Sequence, residues 1–272
     1  MLMSFKILKI ILSIFLFGCS NNLDANLNIT SNIKEKLQRN ETIKLTVNEK
    51  FDSIKIYSSS KLIYNFIDNS INNLEFELEN LRLGQNNINI VSFFNNKNKS
   101  KKYSFIVLND EKPKIYSYKI INTYPHDINS YTQGLEFSKG FLYESTGKYG
   151  KSKLRKTEYK TGKTLSEINI SNKYFAEGLT IMNDKIIQLT WREKIGLVYN
   201  LENLELIDKF YYNKSLEGWG LCNDSTKIFK SDGTEKIWIL DPNTYKEIDN
   251  FEVYTNKGKV NGLNELEWVN GK

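Results

Sequence analysis

A recurring glycine motif constrains the fold of this chain more than any other feature of its sequence. A glutamate or glutamine precedes each glycine and an apolar residue follows it, and Asn264-Glu265-Leu266 is a variant about one period later. Successive glycines are 44 and 40 residues apart, with short strand-like runs and polar turns between them. A period of about 40 to 45 residues with four strands per unit predicts a β-propeller. The motifs are Gln133-Gly134-Leu135, Glu177-Gly178-Leu179 and Glu217-Gly218-Trp219.

The repeat also predicts where chemistry would take place. The inner strands of a propeller line one channel, so Gln133, Glu177 and Glu217 are expected in corresponding places around a single axis. Converging carboxylates perturb each other's protonation, which suits proton transfer. Trp191 and Trp219 would exclude water and raise a carboxyl pKa. Blade packing alone would also keep such positions, and propellers commonly bind ligands without catalysis, so the fold does not decide the function.

The first part of the chain follows a different pattern. Apolar and polar residues alternate from residue 33 to residue 110, with breaks rich in Asn and Ser, which predicts a small antiparallel β-sandwich of immunoglobulin-like type. We expect it to act in spacing or docking. Charged residues and Pro113 interrupt the strands, and the propeller is predicted over residues 114–272. The alternating residues are Ile43, Leu45, Val47, Leu74, Phe76, Leu78, Ile88, Ile90, Tyr103, Phe105 and Val107.

The N-terminal end carries a targeting signal. Lys6 and Lys9 flank the start of a short apolar run that ends in Leu16-Phe17-Gly18-Cys19, which resembles a bacterial lipobox. Residues 1–19 are therefore predicted to be a lipoprotein signal peptide with lipidation at Cys19, and residues 20–32 a flexible tether. An ordinary signal peptide is the alternative. The expected location is the cell envelope, on the extracytoplasmic side of a membrane, and Cys222 is expected to be a buried free thiol.

Composition argues against three classes of function. The net charge of +6 comes mainly from lysines dispersed along the whole chain, so no basic stripe for nucleic acid is predicted. The only histidine, His126, and two cysteines do not provide the ligand spacing of a zinc site. No cluster of carboxylates suggests a calcium-dependent hydrolase either. We expect no metal and no cofactor, and a structural hydrogen-bonding role for His126.

Ordered strings between residues 115 and 272 resemble the plant and bacterial glutamine cyclotransferases, a family of five-bladed propellers. These enzymes convert the N-terminal Gln of a peptide to pyroglutamate with release of ammonia. The strings include Tyr124-Pro125-His126-Asp127, Tyr131-Thr132-Gln133-Gly134-Leu135, Phe175-Ala176-Glu177-Gly178-Leu179-Thr180, Gln188-Leu189-Thr190-Trp191, Glu217-Gly218-Trp219-Gly220-Leu221 and Asn264-Glu265-Leu266-Glu267-Trp268.

The resemblance implies roles for individual residues. Glu177 would carry the proton from the substrate's α-amine to the leaving ammonia. Gln133 and Asn264 would hold the substrate amide or its oxyanion. The aromatic walls would be Tyr131, Trp191 and Trp219. The partner implied is a peptide or protein with an N-terminal Gln, and the class is the metal-independent one.

Two expectations concern the whole chain. Members of the family that the chain resembles continue beyond the position of Lys272, so the propeller is expected to be C-terminally truncated here, after a hairpin turn that follows Trp268-Val269. The competing hypothesis is a non-catalytic, surface-anchored propeller that binds a peptide or a glycan.

Overall fold

The computed structural model describes residues 26–272. The predicted signal peptide, Cys19 and the start of the tether lie outside the described residues. Within residues 26–272, no helix is long and apolar enough to cross a membrane.

The N-terminal part is a sandwich of two sheets. A three-stranded sheet in the order β1-β3-β6 faces a five-stranded sheet in the order β2-β8-β7-β4-β5. Alternate residues of most of these strands point into one shared apolar core, as the alternating pattern predicted. The strands are β1 (Ile29–Ser31), β2 (Lys36–Gln38), β3 (Thr42–Val47), β4 (Ser53–Ser58), β5 (Lys61–Phe66), β6 (Asn73–Glu77), β7 (Gly84–Phe94) and β8 (Lys97–Leu108).

Three four-stranded antiparallel sheets follow, each a meander of consecutive strands. This is the arrangement of propeller blades, and it confirms the all-β propeller predicted from the repeat. The first blade is β9 (Thr132–Ser138), β10 (Phe141–Thr146), β11 (Lys153–Glu158) and β12 (Lys163–Asn169). The second is β13 (Ala176–Met182), β14 (Lys185–Thr190), β15 (Ile195–Asn200) and β16 (Leu206–Tyr211). The third is β17 (Leu221–Asn223), β18 (Ile228–Ser231), β19 (Lys236–Leu240) and β20 (Glu247–Glu252).

The second blade is the most deeply buried of the three. Six of the seven residues of β13 are buried, and so are five of the six of β14. The reason is that the second blade has a blade against each of its faces, whereas the first blade leaves Leu135 and Phe137 exposed by 40% and 56%. Glu177, in β13, therefore lies in the most deeply buried of the three blades.

Glycines bring the inner strands into contact. A Cβ on Gly134 would lie 2.5 Å from the Leu179 nitrogen, and one on Gly178 would lie 2.5 Å from the Trp219 carbonyl oxygen and 2.7 Å from the Cα of Gly220. Adjacent blades thus approach through bare backbone, which only glycine permits.

These contacts correct the register of the predicted repeat. The counterpart of Gly134 and Gly178 in the third blade is Gly220 and not Gly218. Trp219, one residue before that glycine, therefore corresponds to Glu177, and Glu217 does not lie in the ring of equivalent positions. The expectation that placed Glu217 there is wrong, because a second glycine, Gly220, follows the third motif, and it is this glycine that packs against the neighbouring inner strand.

The segment after β20 lies against the third blade. Residues 253–272 contain no strand, although Tyr254 and Lys259 form an isolated bridge. The indole of Trp268 stacks on the ring of Phe229 with a 5.4 Å centroid separation. Val269 and Lys272 exchange backbone hydrogen bonds of 2.7 and 3.0 Å, which is the turn predicted after Trp268-Val269.

The sandwich contacts the outer edge of the third blade. Arg82 donates two hydrogen bonds, of 2.8 and 2.9 Å, to the carboxylate of Asp249 on β20. The backbone N–H of Gln85 donates to Glu252 on the same strand at 3.0 Å. The domain limits at residues 110 and 114 remain a prediction, and the residues from 112 to 127 between the two parts form no strand.

Candidate active site

Glu177 lies at an irregularity of the innermost strand of the second blade. The pairing of β13 with β14 shifts register between Ala176 and Leu179, so Glu177 and Gly178 bulge out of the ladder. Bulges of this kind redirect a side chain and are frequent beside active sites. The Gly178 N–H instead donates to the Trp219 carbonyl at 2.7 Å, and Ser145 donates its hydroxyl to the Glu177 carbonyl at 2.5 Å.

The Glu177 carboxyl group is buried without a compensating donor. The residue is 7% exposed, and within residues 26–272 no hydrogen bond reaches its carboxylate. Burial, reinforced by the negative charges of Glu217 and Glu193, raises the pKa of Glu177 to about 8. A carboxyl group with a pKa this close to neutrality can both accept and release a proton.

An aromatic cluster surrounds Phe175, two residues before Glu177. Its ring lies 5.5 Å from that of Trp191, 6.3 Å from that of Tyr131 and 5.5 Å from that of Tyr149. These edge and tilted contacts are the favourable geometries for aromatic pairs. The sequence analysis selected Tyr131 and Trp191 but missed Phe175 and Tyr149 as members of the wall. Phe175 belongs to the same string as Glu177, and this proximity in sequence could have identified it as part of the wall.

Trp219 joins this wall through Glu217. The Glu217 carboxylate accepts the indole N–H of Trp191 at 2.5 Å and that of Trp219 at 2.8 Å. Arg192 donates to the same carboxylate at 3.2 Å and stacks over the Trp191 ring at 3.7 Å. Two tryptophans from different blades thus share one acceptor. The sequence analysis placed Glu217 among the converging acidic residues and did not identify it as the acceptor of the two indole N–H groups.

The remaining two predicted substrate residues differ in how the structure ties them to the site. Gln133 is half-buried, and a Cβ on Gly147 would lie 2.9 Å from its Cγ and closer still to the Phe175 ring, so Gln133 borders the aromatic cluster. Asn264 is exposed, and the contact that fixes it is made by its main chain, whose carbonyl accepts the Ser231 hydroxyl at 2.6 Å.

Two further carboxyl groups with raised pKa values were not selected as site residues, and one of them, Glu265, lies next to Gly178. A Cβ on Gly178 would lie 2.8 Å from a carboxylate oxygen of Glu265. Desolvation by the surrounding protein atoms, followed by the charge of Glu177, raises the pKa of Glu265 to about 9, although the residue as a whole is exposed. Burial likewise raises the pKa of Glu136 to about 7, although the hydrogen bond that the Ile181 N–H donates at 2.9 Å acts in the opposite direction.

Two other predicted features are structural. His126 lies 2.9 Å from the buried carboxylate of Glu144, which agrees with the hydrogen-bonding role expected of it. Cys222 is buried, and burial raises the pKa of its thiol to about 12. In the part of the chain that the structure describes, no group of three or more His, Cys, Asp or Glu side chains is arranged to hold a metal ion.

A set of propeller blades with a buried, unpaired carboxyl group walled by aromatic rings defines a propeller protein with a candidate acid–base site. A model of the glutamine cyclotransferase family matches residues 89–272, and the chain belongs to this family. The matched range begins within β7 of the sandwich.

Two relatives support the assignment. The chain is 38% identical, over 164 residues, to the glutaminyl-peptide cyclotransferase of Arabidopsis thaliana, a match that covers 60% of this chain and 51% of the relative. The crystal structure of Myxococcus xanthus glutaminyl cyclase superposes with a TM-score of 0.52 and 31% identity, covering 56% of this chain and 64% of that one. The chain thus spans about half the length of the curated relative.

Proposed function

We propose that this protein is a glutaminyl-peptide cyclotransferase that converts the N-terminal Gln of a peptide or protein into pyroglutamate with release of ammonia. The observation that carries the proposal is Glu177, a buried carboxyl group without a hydrogen-bond donor inside an aromatic wall. Such a group has no structural partner to satisfy, which fits a group that exchanges protons with a bound substrate.

The reaction needs one intramolecular attack and one proton transfer. The α-amine of the substrate attacks its own γ-amide carbon, a C–N bond forms, and the C–NH₂ bond breaks. Glu177 accepts the proton that the amine loses and returns it to the departing nitrogen, so that ammonia leaves and the carboxylate is regenerated. Because the reacting groups belong to one residue, the enzyme gains rate mainly by folding the substrate and moving the proton.

The protonation of Glu177 suits both halves of this transfer. Its pKa of about 8 lies near the ordinary pKa of an α-amino group, about 7.7 to 8.0. Proton transfer between groups of similar pKa is close to thermoneutral in each direction. A carboxylate with its ordinary pKa would be a much weaker base toward the attacking amine.

The other predicted residues would bind the substrate. Tyr131, Trp191 and Trp219 would enclose the glutamine side chain and exclude water, while Gln133 and Asn264 would bind its amide or the developing oxyanion. This assignment makes the enzyme independent of metal ions, and activity should survive incubation with EDTA.

Mass spectrometry of a Gln-initiated peptide tests the proposal directly. The peptide should lose about 17 Da, one ammonia, and an N-acetylated version with a blocked amine should remain unchanged. Replacing Glu177 with Gln should reduce turnover by about 10²- to 10⁴-fold, with Glu202→Gln, an exposed change, as the matched control. If the folded protein and any C-terminally longer product of its gene leave the peptide unchanged, the binding propeller replaces this proposal.

The proposed setting is the outer side of a bacterial membrane. The lipobox-like sequence that ends at Cys19 supports lipid anchoring in the cell envelope. Metabolic labelling with a fatty-acid analogue should mark the wild-type protein and leave a Cys19→Ser variant unlabelled. Labelling of neither protein would contradict the anchor without affecting the proposed reaction.

A further inference from the structure

We infer that Glu217 is a positioning residue of this site: its ionised carboxylate orients the indoles of Trp191 and Trp219 and contributes negative charge to the surroundings of Glu177. The inference rests on the proposed function for its catalytic meaning. The geometry behind it concerns three side chains from two neighbouring blades.

The first step is the shared acceptor. One oxygen of the Glu217 carboxylate receives both indole N–H groups, at 2.5 and 2.8 Å, and the other receives the Arg192 guanidinium at 3.2 Å. Trp191 follows β14 of the second blade, and Trp219 precedes β17 of the third. An indole has only this one donor, so its rotation is fixed when that donor is used. Glu217 therefore fixes the orientation of both indole rings.

The second step is the charge of this acceptor. Partial burial of Glu217 opposes its ionisation, but hydrogen bonds from Trp219, Trp191 and Arg192 outweigh that effect, and its pKa lies below the usual value. The carboxylate is therefore negative throughout the range in which Glu177 titrates. Glu217 does not itself exchange protons at neutral pH.

The third step is the rigidity of the Glu217 backbone. Its carbonyl accepts the ammonium of Lys230 at 2.8 Å, and Lys230 is itself fully buried beside Ser215. The next residue, Gly218, donates its N–H to the Trp191 carbonyl at 2.9 Å. A Cβ at Gly218 would lie 2.6 Å from the Thr190 carbonyl oxygen, so the backbone has no room to shift toward β14.

The fourth step is the effect on Glu177. Several titratable groups interact with it: Glu217, Glu193, Glu265, Tyr149 and Tyr212. After burial, the charge of Glu217 is the largest cause of the raised pKa of Glu177, and that of Glu193 comes next. The two negative charges disfavour a third one at Glu177, so a proton remains on it near neutral pH.

The Glu217→Gln substitution separates the charge from the hydrogen bonds. The amide oxygen of Gln still accepts an indole N–H, but the negative charge is gone. The carboxyl carbon of Glu177, followed by ¹³C NMR and assigned with Glu177→Gln, should titrate about one pH unit lower in Glu217→Gln than in the wild type. The ascending limb of kcat/KM for a Gln-initiated peptide should move by the same amount.

Glu193→Gln is the matched control. Glu193 also acts on Glu177 by charge, but its hydrogen bond comes from Tyr149, at 2.9 Å, and not from a tryptophan. It should lower the Glu177 midpoint while the indole N–H resonances of Trp191 and Trp219 stay in place. Those two resonances should move in Glu217→Gln, and in Glu217→Ala they should move further while KM rises roughly tenfold.

The outcomes separate the inference from the reaction. If Glu217→Gln folds but leaves both the Glu177 midpoint and the two indole resonances unchanged, the inference is overturned. If the wild type turns over no peptide, the proposed function fails, and the NMR titration alone still decides whether Glu217 controls the protonation of Glu177.

Discussion

The ammonium of Lys230 lies 3.4 Å from the carboxylate of Glu247 in the interior of the third blade, and neither side chain is exposed by more than 2%. Burial lowers the pKa of Lys230 to about 8, although the charge of Glu247 opposes that shift. Glu247 also accepts the backbone N–H of Lys214 at 2.9 Å. This pair supports the backbone of Glu217, because the same ammonium binds the Glu217 carbonyl.

Removing one partner of this pair should be costly. Glu247→Ala leaves a buried ammonium without its counter-charge, and the free energy of unfolding should fall by about 3 to 5 kcal/mol. Urea denaturation measures the change. Lys139→Ala breaks the exposed pair with Asp184 and should cost no more than about 1 kcal/mol. Equal losses in the two variants would contradict the structural importance of the buried pair.

Glu177 should reduce the stability of the fold as the pH rises. Its pKa is about 8 in the folded state and near 4.5 in the unfolded chain, so between these values the folded state binds more protons. Stability then falls with increasing pH over that range, at up to about 1.4 kcal/mol per unit. Glu177→Gln should flatten this part of the profile and be the more stable protein at pH 8. Thermal or urea unfolding from pH 5 to pH 8 measures it, and parallel profiles for the two proteins would refute the assignment.

The pH dependence of turnover should have the opposite slope. Glu177 accepts a proton only when it is ionised, so kcat/KM for a Gln-initiated peptide should rise through pH 8. The substrate's α-amine also titrates there, at about 7.7 to 8.0. Glu193→Gln distinguishes the two, because it lowers the pKa of Glu177 and leaves the free peptide unaffected. If the ascending limb of the kcat/KM profile does not move in this variant, it reports the titration of the peptide's α-amine and not that of Glu177.

A methyl group at Gly178 should impair the site more than the fold. It would lie 2.5 Å from the Trp219 carbonyl oxygen and 2.8 Å from a Glu265 oxygen, which forces the inner strands apart. Gly178→Ala should cost about 1 to 3 kcal/mol of stability and lower kcat/KM at least tenfold, since Glu177 is adjacent. Gly140→Ala, at a positive φ of 86° with open space around it, should cost about 1 to 2 kcal/mol and leave kcat/KM unchanged.

Much of the fold could be predicted because each blade needs a glycine at the contact between inner strands, and this need recurs once per period in the sequence. The period identified the blades, and strict alternation identified the sandwich. The register of the third blade could not be read, because Gly218 fits the motif whereas the equivalent glycine, Gly220, follows a tryptophan and is identified only by its packing. Gly220 lies against Gly178, whereas Gly218 lies under Tyr212 and Thr190.

The site was predictable to the extent that it follows the motif. Glu177 and its aromatic neighbours occur in strings that a family resemblance can recognise. The bridge from Glu217 to Trp191 spans 26 positions and joins two blades, so no local pattern contains it. The acidity of Glu177 has the same origin, since it depends on burial and on charges contributed by other loops.

The contacts of Gly134 and Gly178 with their neighbouring strands have a consequence for how this site can evolve. The spacing of the blades at the axis is set by main chain touching main chain, so no single substitution can tighten or widen it gradually. New substrate preferences would have to come from the rim, where Tyr131 and Tyr149 are each 50% exposed. The spacing of the inner strands is therefore fixed, and substitutions that change substrate preference are expected among the residues at the rim.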